Sequence, residues 1–331
     1  MLMFKNMKKS PGLFFLIFTL FLILGIAYFP LNSTYNAIAK NETENSVLKL
    51  AHLSDIHIDS TSKDSSRRLY SSSRKLFQDA VEQINGVDNI DLVLFSGDSI
   101  NKPVESDLMK FISIANKLKY PWHASTGNHE IGIKGGLSKS RRISLISKYN
   151  KNVNSDKSYY SFSPKKGYLF VVMDGVIDWR VTANGYYHKE ELEWLDKELS
   201  GNKDSKVIIV QHFPVIEPSK SESHKILNAA EYQQVLNKHN NVIAVLSGHY
   251  HAAKIIKSDN KVYVSTPALV EYPNSFRVIT ISDKKDKIQI DFDFKETRLK
   301  NLQQKSKSKS KSWQLNQGKD VDRDTTVIID K

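Results

Sequence analysis

The chain has 331 residues, with 48 Lys and Arg against 36 Asp and Glu, which gives a formal net charge of +12 at pH 7. It contains no Cys, which excludes disulfide bonds, thiolate metal sites and a lipid-modified N-terminal Cys. No recognised aromatic-plus-basic motif accompanies the positive charge, so we expect no nucleic-acid partner.

The N-terminal region carries an apolar segment that predicts a membrane-spanning helix. No charged residue occurs between Ser10 and Ala39. Residues 12–29 would form a helix about 27 Å long, close to the thickness of a bilayer core. Because Lys residues precede this segment, residues 1–11 should stay in the cytoplasm and the following chain should cross the membrane. We therefore predict a single-pass signal-anchor helix, a linker over residues 30–46 and an extracytoplasmic domain.

The alternative for the same region is a cleaved signal peptide. Ala37-Ile38-Ala39 offers a small-residue cleavage site. The apolar run is long for the core of a signal peptide, and the site lies far beyond its end. These two features favour a retained anchor, with secretion after cleavage as the alternative.

Five short apolar runs along the chain are each followed by polar side chains. Four runs are rich in Val, Ile and Leu and predict buried strands, and a poorer one at the third position occupies the equivalent place. The runs are Val47–Leu53, Leu92–Phe95, Trp122–Thr126, Val207–Val210 and Val242–Leu246. The polar clusters that follow them are Asp55-Ile56-His57, Gly97-Asp98, Gly127-Asn128-His129-Glu130, Gln211-His212 and Gly248-His249-Tyr250-His251. Since ligands bind beyond the carboxyl ends of strands in open α/β sheets, we expect the clusters to converge on one edge of one sheet.

The spacing within the clusters supports this convergence. Asp55 and His57 are two residues apart, as are His249 and His251, so in extended backbone each pair projects from one face. A glycine precedes a polar residue in three of the clusters, where the missing Cβ permits a tight turn.

The segment of residues 131–158 has features of a substrate lid. It begins with three glycines and continues with Arg141 and Arg142. Glycines leave a loop mobile, and guanidinium groups suit a second phosphate or another anionic group on a substrate. The alternative is an ordinary surface helix, with Leu145 and Ile146 on its packed face and both arginines solvated.

The remaining pattern predicts one large α/β domain over residues 47–294. Helical stretches are expected at Arg68–Ile84, Asp107–Leu118 and Lys189–Leu199. Paired strands with polar turns are expected at Tyr159–Ser163 with Tyr168–Met173, Ala253–Ile256 with Lys261–Val264, and Phe276–Ile281 with Ile288–Phe294. We interpret this as a layered sandwich of two mixed sheets flanked by helices.

Residues 295–331 read as a basic low-complexity tail. Lys and Ser alternate four times from Lys305 to Ser312. Such a composition buries little apolar surface, which favours a solvated tail. The alternative is electrostatic attachment of the tail to an anionic surface.

The five clusters together resemble the motifs of the calcineurin-like metallophosphoesterase family, over about Leu48 to Leu269. The family pattern is Asp-x-His, Gly-Asp-x-x-(Asp/Asn), Gly-Asn-His-(Asp/Glu), a lone His and Gly-His-x-His. This chain ends the second motif with Asn101, where many members carry Asp, and the third with Glu130. The resemblance implies a four-layer α/β/β/α sandwich and a binuclear metal-dependent hydrolase of phosphate monoesters or diesters.

The resemblance also implies a role for each matching residue. One metal would be held by Asp55, His57 and His251, and the other by Asn128, His212 and His249. Asp98 would bridge the two metals, and His129 would be the general acid or a donor to developing charge.

The same assignment is chemically reasonable. Two metals about 3.5–4 Å apart can share a hydroxide that acts as the nucleophile, and can clamp the attacking and leaving oxygens. Imidazole ligands favour manganese, iron or zinc over calcium.

Three functional alternatives follow from the sequence. The first is a membrane-tethered phosphoester hydrolase with an envelope or extracellular substrate. The second is a cyclic-nucleotide phosphodiesterase, since His52-Leu53-Ser54-Asp55-Ile56-His57 looks like that branch of the superfamily. An extracytoplasmic domain would be at odds with an intracellular messenger as substrate. The third is a non-catalytic metal-binding interaction protein on the same fold.

Overall fold

Two mixed β-sheets form the centre of this chain, whose computed structural model describes residues 46–61, 63–133 and 135–331. In chain order the strands are β1 Val47–Leu53, β2 Leu92–Phe95, β3 Trp122–Ala124, β4 Tyr160–Phe162, β5 Tyr168–Val172, β6 Lys206–Val210, β7 Val242–Ser247, β8 Lys254–Ser258, β9 Lys261–Ser265, β10 Ser275–Asp283, β11 Lys287–Glu296 and β12 Thr325–Asp330. The first sheet has the order β12-β11-β10-β1-β2-β3, and the second has the order β4-β5-β6-β7-β9-β8.

Both sheets combine a parallel centre with antiparallel flanks. β1, β2 and β3 are parallel in the first sheet, and β5, β6, β7 and β9 are parallel in the second. The antiparallel partners include β10 on β1, β4 on β5 and β8 on β9. The three predicted strand pairs are confirmed as neighbours in these sheets.

Helices cover the outer face of each sheet. In chain order they are α1 Ser73–Asn85, α2 Glu105–Ala115, α3 Lys139–Tyr149, α4 Lys189–Gly201, α5 Ala229–Asn237, α6 Lys300–Lys309 and α7 Trp313–Gln317. All three predicted helical stretches are therefore present. α1 begins five residues later than expected, because residues 70–72 form a 3-10 turn.

Side-chain alternation along the strands explains the layers. In β2, Val93 and Phe95 pack in the cluster that includes α1, α2 and α3, whereas Leu92 and Leu94 pack in a cluster shared with β5, β6 and β7 of the second sheet. A third cluster joins the second sheet to α4 and α5. Because both faces of the central strands are buried, they read as continuous apolar runs. The result is the predicted sandwich of two mixed sheets flanked by helices.

The prediction of an unordered tail over residues 295–331 was wrong. Residues Val47–Ser282 and Asp286–Lys331 form one compact unit, so the C-terminal segment is part of the domain. It contains α6, α7 and β12, and β12 pairs antiparallel with β11 at the edge of the first sheet. Ile329 is 1% exposed and lies in the core between the sheets.

In α6 the residues of the Lys-Ser repeat are sorted into a buried face and an exposed face. The buried positions of the segment are Gln303, Ser306 and Ser310, which recur at helical spacing. Lys305 and Lys307 are exposed. Gln303 and Ser306 bond to main-chain atoms of residues 273 and 272, so hydrogen bonds replace apolar contact on this face. The composition of the segment alone does not reveal this buried face.

The predicted membrane anchor lies outside the described residues, as do the short segment before it and most of the linker. Among the residues that the structure describes, no helix has the length and apolarity needed to cross a bilayer.

Candidate metal centre

The polar clusters meet where the parallel strands of the two sheets end. Asp55, Asp98 and Asn128 follow β1, β2 and β3 in the first sheet, whereas His212 and His249 follow β6 and β7 in the second. The expectation of convergence on a single sheet edge was therefore wrong in one respect. The carboxyl ends of two packed sheets contribute, and a hydrogen bond from the main-chain N–H of His249 to Oδ2 of Asp55 at 2.9 Å joins them.

Backbone conformation differs from the extended form that we expected for the paired residues. Five site residues have left-handed backbone: Asp55, His57, Asp98, His249 and His251 have φ between 48° and 69°. Such conformations are uncommon outside glycine, and they cluster at functional sites. The side chains thus converge because the chain turns sharply after each strand.

Gly97 shows why a side chain is not tolerated at one of these turns. Its φ is +89°, and an added Cβ would lie 2.7 Å from Nδ1 of His212. A side chain there would displace an imidazole of the site.

The first group of ligand atoms belongs to Asp55, His57 and His251. Nε2 of His251 lies 3.1 Å from Oδ1 of Asp55, and Nε2 of His57 lies 3.7 Å from the same oxygen. All three residues are buried. Their ligand atoms are within 4.8 Å of one another, which is a separation that a single metal ion can span.

The second group contains Asp98, His212 and His249. Nε2 of His212 lies 3.3 Å from Oδ2 of Asp98 and 3.1 Å from Nδ1 of His249. Oδ2 of Asp98 also lies 3.6 Å from Nε2 of His57, which belongs to the first group. One carboxylate oxygen is therefore placed between the two groups.

The unpaired atoms of the site fit metal ions. Buried polar atoms without a hydrogen-bond partner include Oδ1 of Asp55, both ring nitrogens of His57, Oδ1 of Asn128 and Nε2 of His249. Buried polar atoms are normally satisfied, so several orphans in one place require an explanation. A set of imidazole nitrogens and oxygens suits manganese, iron or zinc.

The imidazoles carry different charges before an ion binds. Burial lowers the pKa of His57 to about 3 and lowers that of His249 well below its usual value, so these rings are neutral ligands. Burial also opposes the charge on His212, but Asp98 overrides this effect and raises the pKa of His212 to about 9. Metal binding must therefore expel a proton from His212 at neutral pH.

We expect metal affinity to fall as the pH is lowered from 7.5 to 5.5. His212 carries a proton throughout this range because its pKa is raised to about 9, so a metal ion must displace that proton, and the displacement becomes less favourable as the proton concentration rises. Calorimetric titration with Mn²⁺ in two buffers of different ionisation enthalpy would measure both the affinity and the released protons. Unchanged affinity, or binding without proton release, would contradict the proposed number of His ligands.

His129 lies beside the metal-ligand groups but differs from them. Its side chain is 29% exposed, whereas those of His57 and His212 are 0% exposed. Its Nδ1 donates to the carbonyl of Asn101 at 2.8 Å, which leaves Nε2 as the atom that can face a substrate. Nε2 is 3.9 Å from Oδ2 of Asp98. The ring also falls within a ligand-like group with His57 and Asp98, so a ligand role competes with an acid role.

Asn101 and Glu130, which end the second and third motifs, both have structural roles. The side-chain amide of Asn101 donates to Asp59 at 2.7 Å, and its main-chain carbonyl accepts the hydrogen bond from Nδ1 of His129. Glu130 is buried and accepts from the main-chain N–H groups of Ser99 and Asp98 at 2.6 and 3.1 Å. Glu130 thereby fastens the second motif to the third.

Neither arginine of the predicted lid faces the site. Arg142 is 1% exposed, and it donates to Thr126 and to the Ser125 carbonyl. Arg141 is exposed and forms a bidentate pair with Glu105. The prediction of two substrate-binding arginines was therefore wrong. α3 is the ordinary packed helix of the alternative prediction, except that Arg142 is buried and not solvated.

A cavity of about 420 Å³ opens beside His129. Asn101, Asn128 and His129 form its polar wall. The rest of the lining is mainly apolar and includes Ile131, Ile133, Ile177 and Val181, with Arg180 beside Val181 in sequence. Val181 is 93% exposed, so the cavity presents an uncovered apolar side chain next to the polar residues.

Sequence reasoning missed Glu271, a buried carboxylate that touches a predicted ligand. Its Oε2 accepts a hydrogen bond from Nδ1 of His251 at 2.8 Å. Glu271 belongs to none of the five motifs, and a glutamate 20 positions from its partner gives no local sequence signal.

Comparison with known proteins agrees with this geometry. The sequence model of calcineurin-like phosphoesterases matches residues 48–253. A probable cyclic nucleotide phosphodiesterase of Coxiella burnetii is 24% identical over 76% of this chain and 96% of its own. A manganese-dependent ADP-ribose/CDP-alcohol diphosphatase of Arabidopsis thaliana is 25% identical over 66% of this chain and 84% of its own. Among solved structures, a dimetal phosphatase of Danio rerio aligns with a TM-score of 0.60 at 20% identity, over 73% of this chain and 95% of its own.

Proposed function

The chain belongs to the calcineurin-like phosphoesterase family and is a metal-dependent phosphoester hydrolase, and we propose that it works with two metal ions. Asp55, His57 and His251 would hold one ion. The other would be held by Asn128, His212 and His249, with Asp98 shared between them. The observation that carries this proposal is the position of Oδ2 of Asp98, 3.3 Å from His212 and 3.6 Å from His57.

When bound, the metal pair would supply Lewis acidity and an activated water for attack on phosphorus. We expect His129 and Asn128 to orient the substrate beside the metal ions. His129 is fixed through its Nδ1–H bond to Asn101, so its Nε2 can donate to the leaving oxygen only when the ring carries both protons. Asn128 lines the cavity next to His129.

The proposed activity is tested with the full-length protein on a generic aryl phosphate and an aryl phosphodiester. We expect hydrolysis that requires added Mn²⁺ and is abolished by a chelator. Metal binding without turnover on either substrate would instead support the non-catalytic metal-binding alternative.

The cavity beside His129 indicates the kind of leaving group. An alcohol released towards His129 would enter a cavity whose lining is largely apolar, since it includes Ile177 and Val181. We therefore propose phosphoesters with an apolar or aromatic alcohol portion as the substrate class.

Val181→Asn should raise the Michaelis constant for benzyl phosphate about fivefold while leaving that for methyl phosphate unchanged. Loss of one apolar contact costs on the order of 1 kcal/mol, and only the benzyl group reaches the wall. Initial rates of phosphate release, measured over a range of each ester, give both constants.

Val321→Asn is the matched control, because Val321 is also an exposed valine, at 65%, and does not line the cavity. A similar change for both esters, or none for either, would show that this wall does not select the alcohol.

A second candidate is hydrolysis of cyclic nucleotides. It is favoured by the match to a probable cyclic nucleotide phosphodiesterase over most of both chains. Assays with 3′,5′-cyclic nucleotides beside the acyclic diesters would decide between them. A turnover preference for the cyclic substrates would make this the better assignment.

The location of the enzyme is a separate proposal. We propose that residues 12–29 tether the domain to a membrane with the catalytic domain outside the cytoplasm. The support is the apolar composition of that segment and the Lys residues before it. Protease accessibility in intact cells and in membrane fractions tests it, and cytoplasmic protection of the domain would contradict the proposed topology.

A further inference from the structure

Glu271 connects a proposed metal ligand to the C-terminal segment. It lies in the chain between β9 and β10 and is fully buried. Oε2 accepts from Nδ1 of His251 at 2.8 Å, and Oε1 accepts from Nδ2 of Asn316 at 2.8 Å. Ser310 lies 3.4 Å from the same Oε1 through its hydroxyl. Each oxygen of this carboxylate is thus hydrogen-bonded, one to the proposed metal ligand and the other to the C-terminal segment.

The bond from Glu271 defines which nitrogen of His251 can bind a metal. An ionised carboxylate only accepts hydrogen bonds, so Nδ1 must carry a proton. Nε2 is then the available ligand atom, and it lies 3.1 Å from Oδ1 of Asp55 in the first group. A carboxylate behind a ligating imidazole fixes the ring orientation and increases its basicity.

Asn316 also holds the backbone near His251. Its carbonyl accepts a bond from the N–H of Ala253, two residues beyond His251, at 3.0 Å. Asn316 is 3% exposed and occupies α7, which the sequence had placed in a tail. Its side chain therefore reaches His251 through Glu271, and its main chain bonds to Ala253, just beyond the last motif.

We propose that Asn316, with Ser310, is a positioning residue of the metal centre and acts on His251 through Glu271. The C-terminal segment is then a component of the hydrolase site as well as of the fold. These residues lie beyond the part of the chain, residues 48–253, that the family's sequence model matches. The inference rests on the proposed metal-binding role of His251.

Two guanidinium groups also lie near Glu271. Nε of Arg67 is 3.7 Å from Oε2, and Nε of Arg68 is 3.9 Å from the same oxygen. Both distances are longer than the 2.8 Å bond from Nδ1 of His251. Asn316 is a neutral donor to the other oxygen, Oε1.

Asn316→Ala should weaken the binding of one Mn²⁺ ion about tenfold and leave the other unchanged. Loss of a partner behind a ligand typically costs 10–100-fold in metal affinity, and Asn316 is one step further removed, so about tenfold is expected. Calorimetric titration of the full-length protein with Mn²⁺, without substrate, gives both constants. Hydrolysis by the variant should return towards the wild-type rate at saturating Mn²⁺.

Gln317→Ala is the matched control. Gln317 is in the same short helix and accepts a bond from the Tyr272 hydroxyl at 2.8 Å, beside Glu271 in sequence. This variant should lose a similar amount of thermal stability and keep both Mn²⁺ affinities. Equal Mn²⁺ binding by Asn316→Ala and the wild type, or equal weakening by both variants, would overturn the positioning role.

Glu271→Gln tests the same connection if Asn316→Ala does not fold. The amide keeps the size of the side chain and removes its charge, so one Mn²⁺ site should again weaken. Unchanged binding in Glu271→Gln would also overturn the proposal. A wild-type protein that binds no Mn²⁺ would refute the proposed function itself, which is a distinguishable result.

Discussion

Asp98→Asn should abolish turnover and reduce metal loading from two ions per chain to at most one. Asp98 is the carboxylate whose Oδ2 lies between the two ligand groups, and the amide removes the charge that two cations would share. We expect activity to fall by about a thousandfold or more, because Lewis-acid stabilisation is worth several kcal/mol. Elemental analysis of the purified variant and initial rates with an aryl phosphate measure both effects.

Asparagine is preferable to alanine here for a structural reason. Asp98 has a φ of 49°, a conformation that Asn tolerates better than Ala, and its Oδ1 accepts from the main-chain N–H of His129 at 2.9 Å. Asp98→Ala should show the same losses with more disturbance of the turn. Asp59→Asn is a control for replacing a buried carboxylate that belongs to neither ligand group, and it should keep two ions. Two ions in Asp98→Asn would remove Asp98 from the bridge.

His129→Ala should keep both metal ions and lose turnover by about a hundredfold or more, as expected when a general acid is removed. The loss should be smaller for an activated aryl phosphate, whose leaving group needs no proton, than for an alkyl ester. Rates on a series of esters with leaving groups of increasing pKa, together with metal analysis, measure the two quantities.

The competing ligand role of His129 predicts a different result. Its ring nitrogen lies within reach of His57 and Asp98, so a ligand would take a metal ion with it when removed. Equal losses on good and poor leaving groups would argue against the acid role. His239→Ala is the control, because His239 bonds to Asp196 outside the site and should affect neither quantity.

The sequence was informative wherever a local pattern had a local cause. The strand Leu92–Phe95 was predicted with its observed bounds, because all four residues are apolar and buried, as in a strand covered on both faces. The polar clusters stand directly after such strands, and chain direction alone brings the ends of parallel strands to the same side. These two regularities were sufficient to place Asp55 near Asp98 in one sheet and His212 near His249 in the other.

Long-range contacts decided what the sequence left open. Arg141 and Arg142 are adjacent and chemically alike, yet one pairs with Glu105 at the surface and the other is buried against Thr126. A helix sends neighbouring side chains about 100° apart, so the packing around it determines which one enters the core. No reading of the local sequence distinguishes the two.

The sequence by itself determined the family, the layered α/β class and the set of residues that could bind metals. Only the tertiary structure decided that two sheets share the site, that left-handed turns aim its side chains, and that the C-terminal segment reaches it. Asn316 and Glu271 are 45 residues apart in the chain, and Glu271 is 20 residues from His251. Hydrogen bonds between such distant positions depend on where α7 and β9 are placed by the folded core, and the local periodicity of the chain carries no record of that placement.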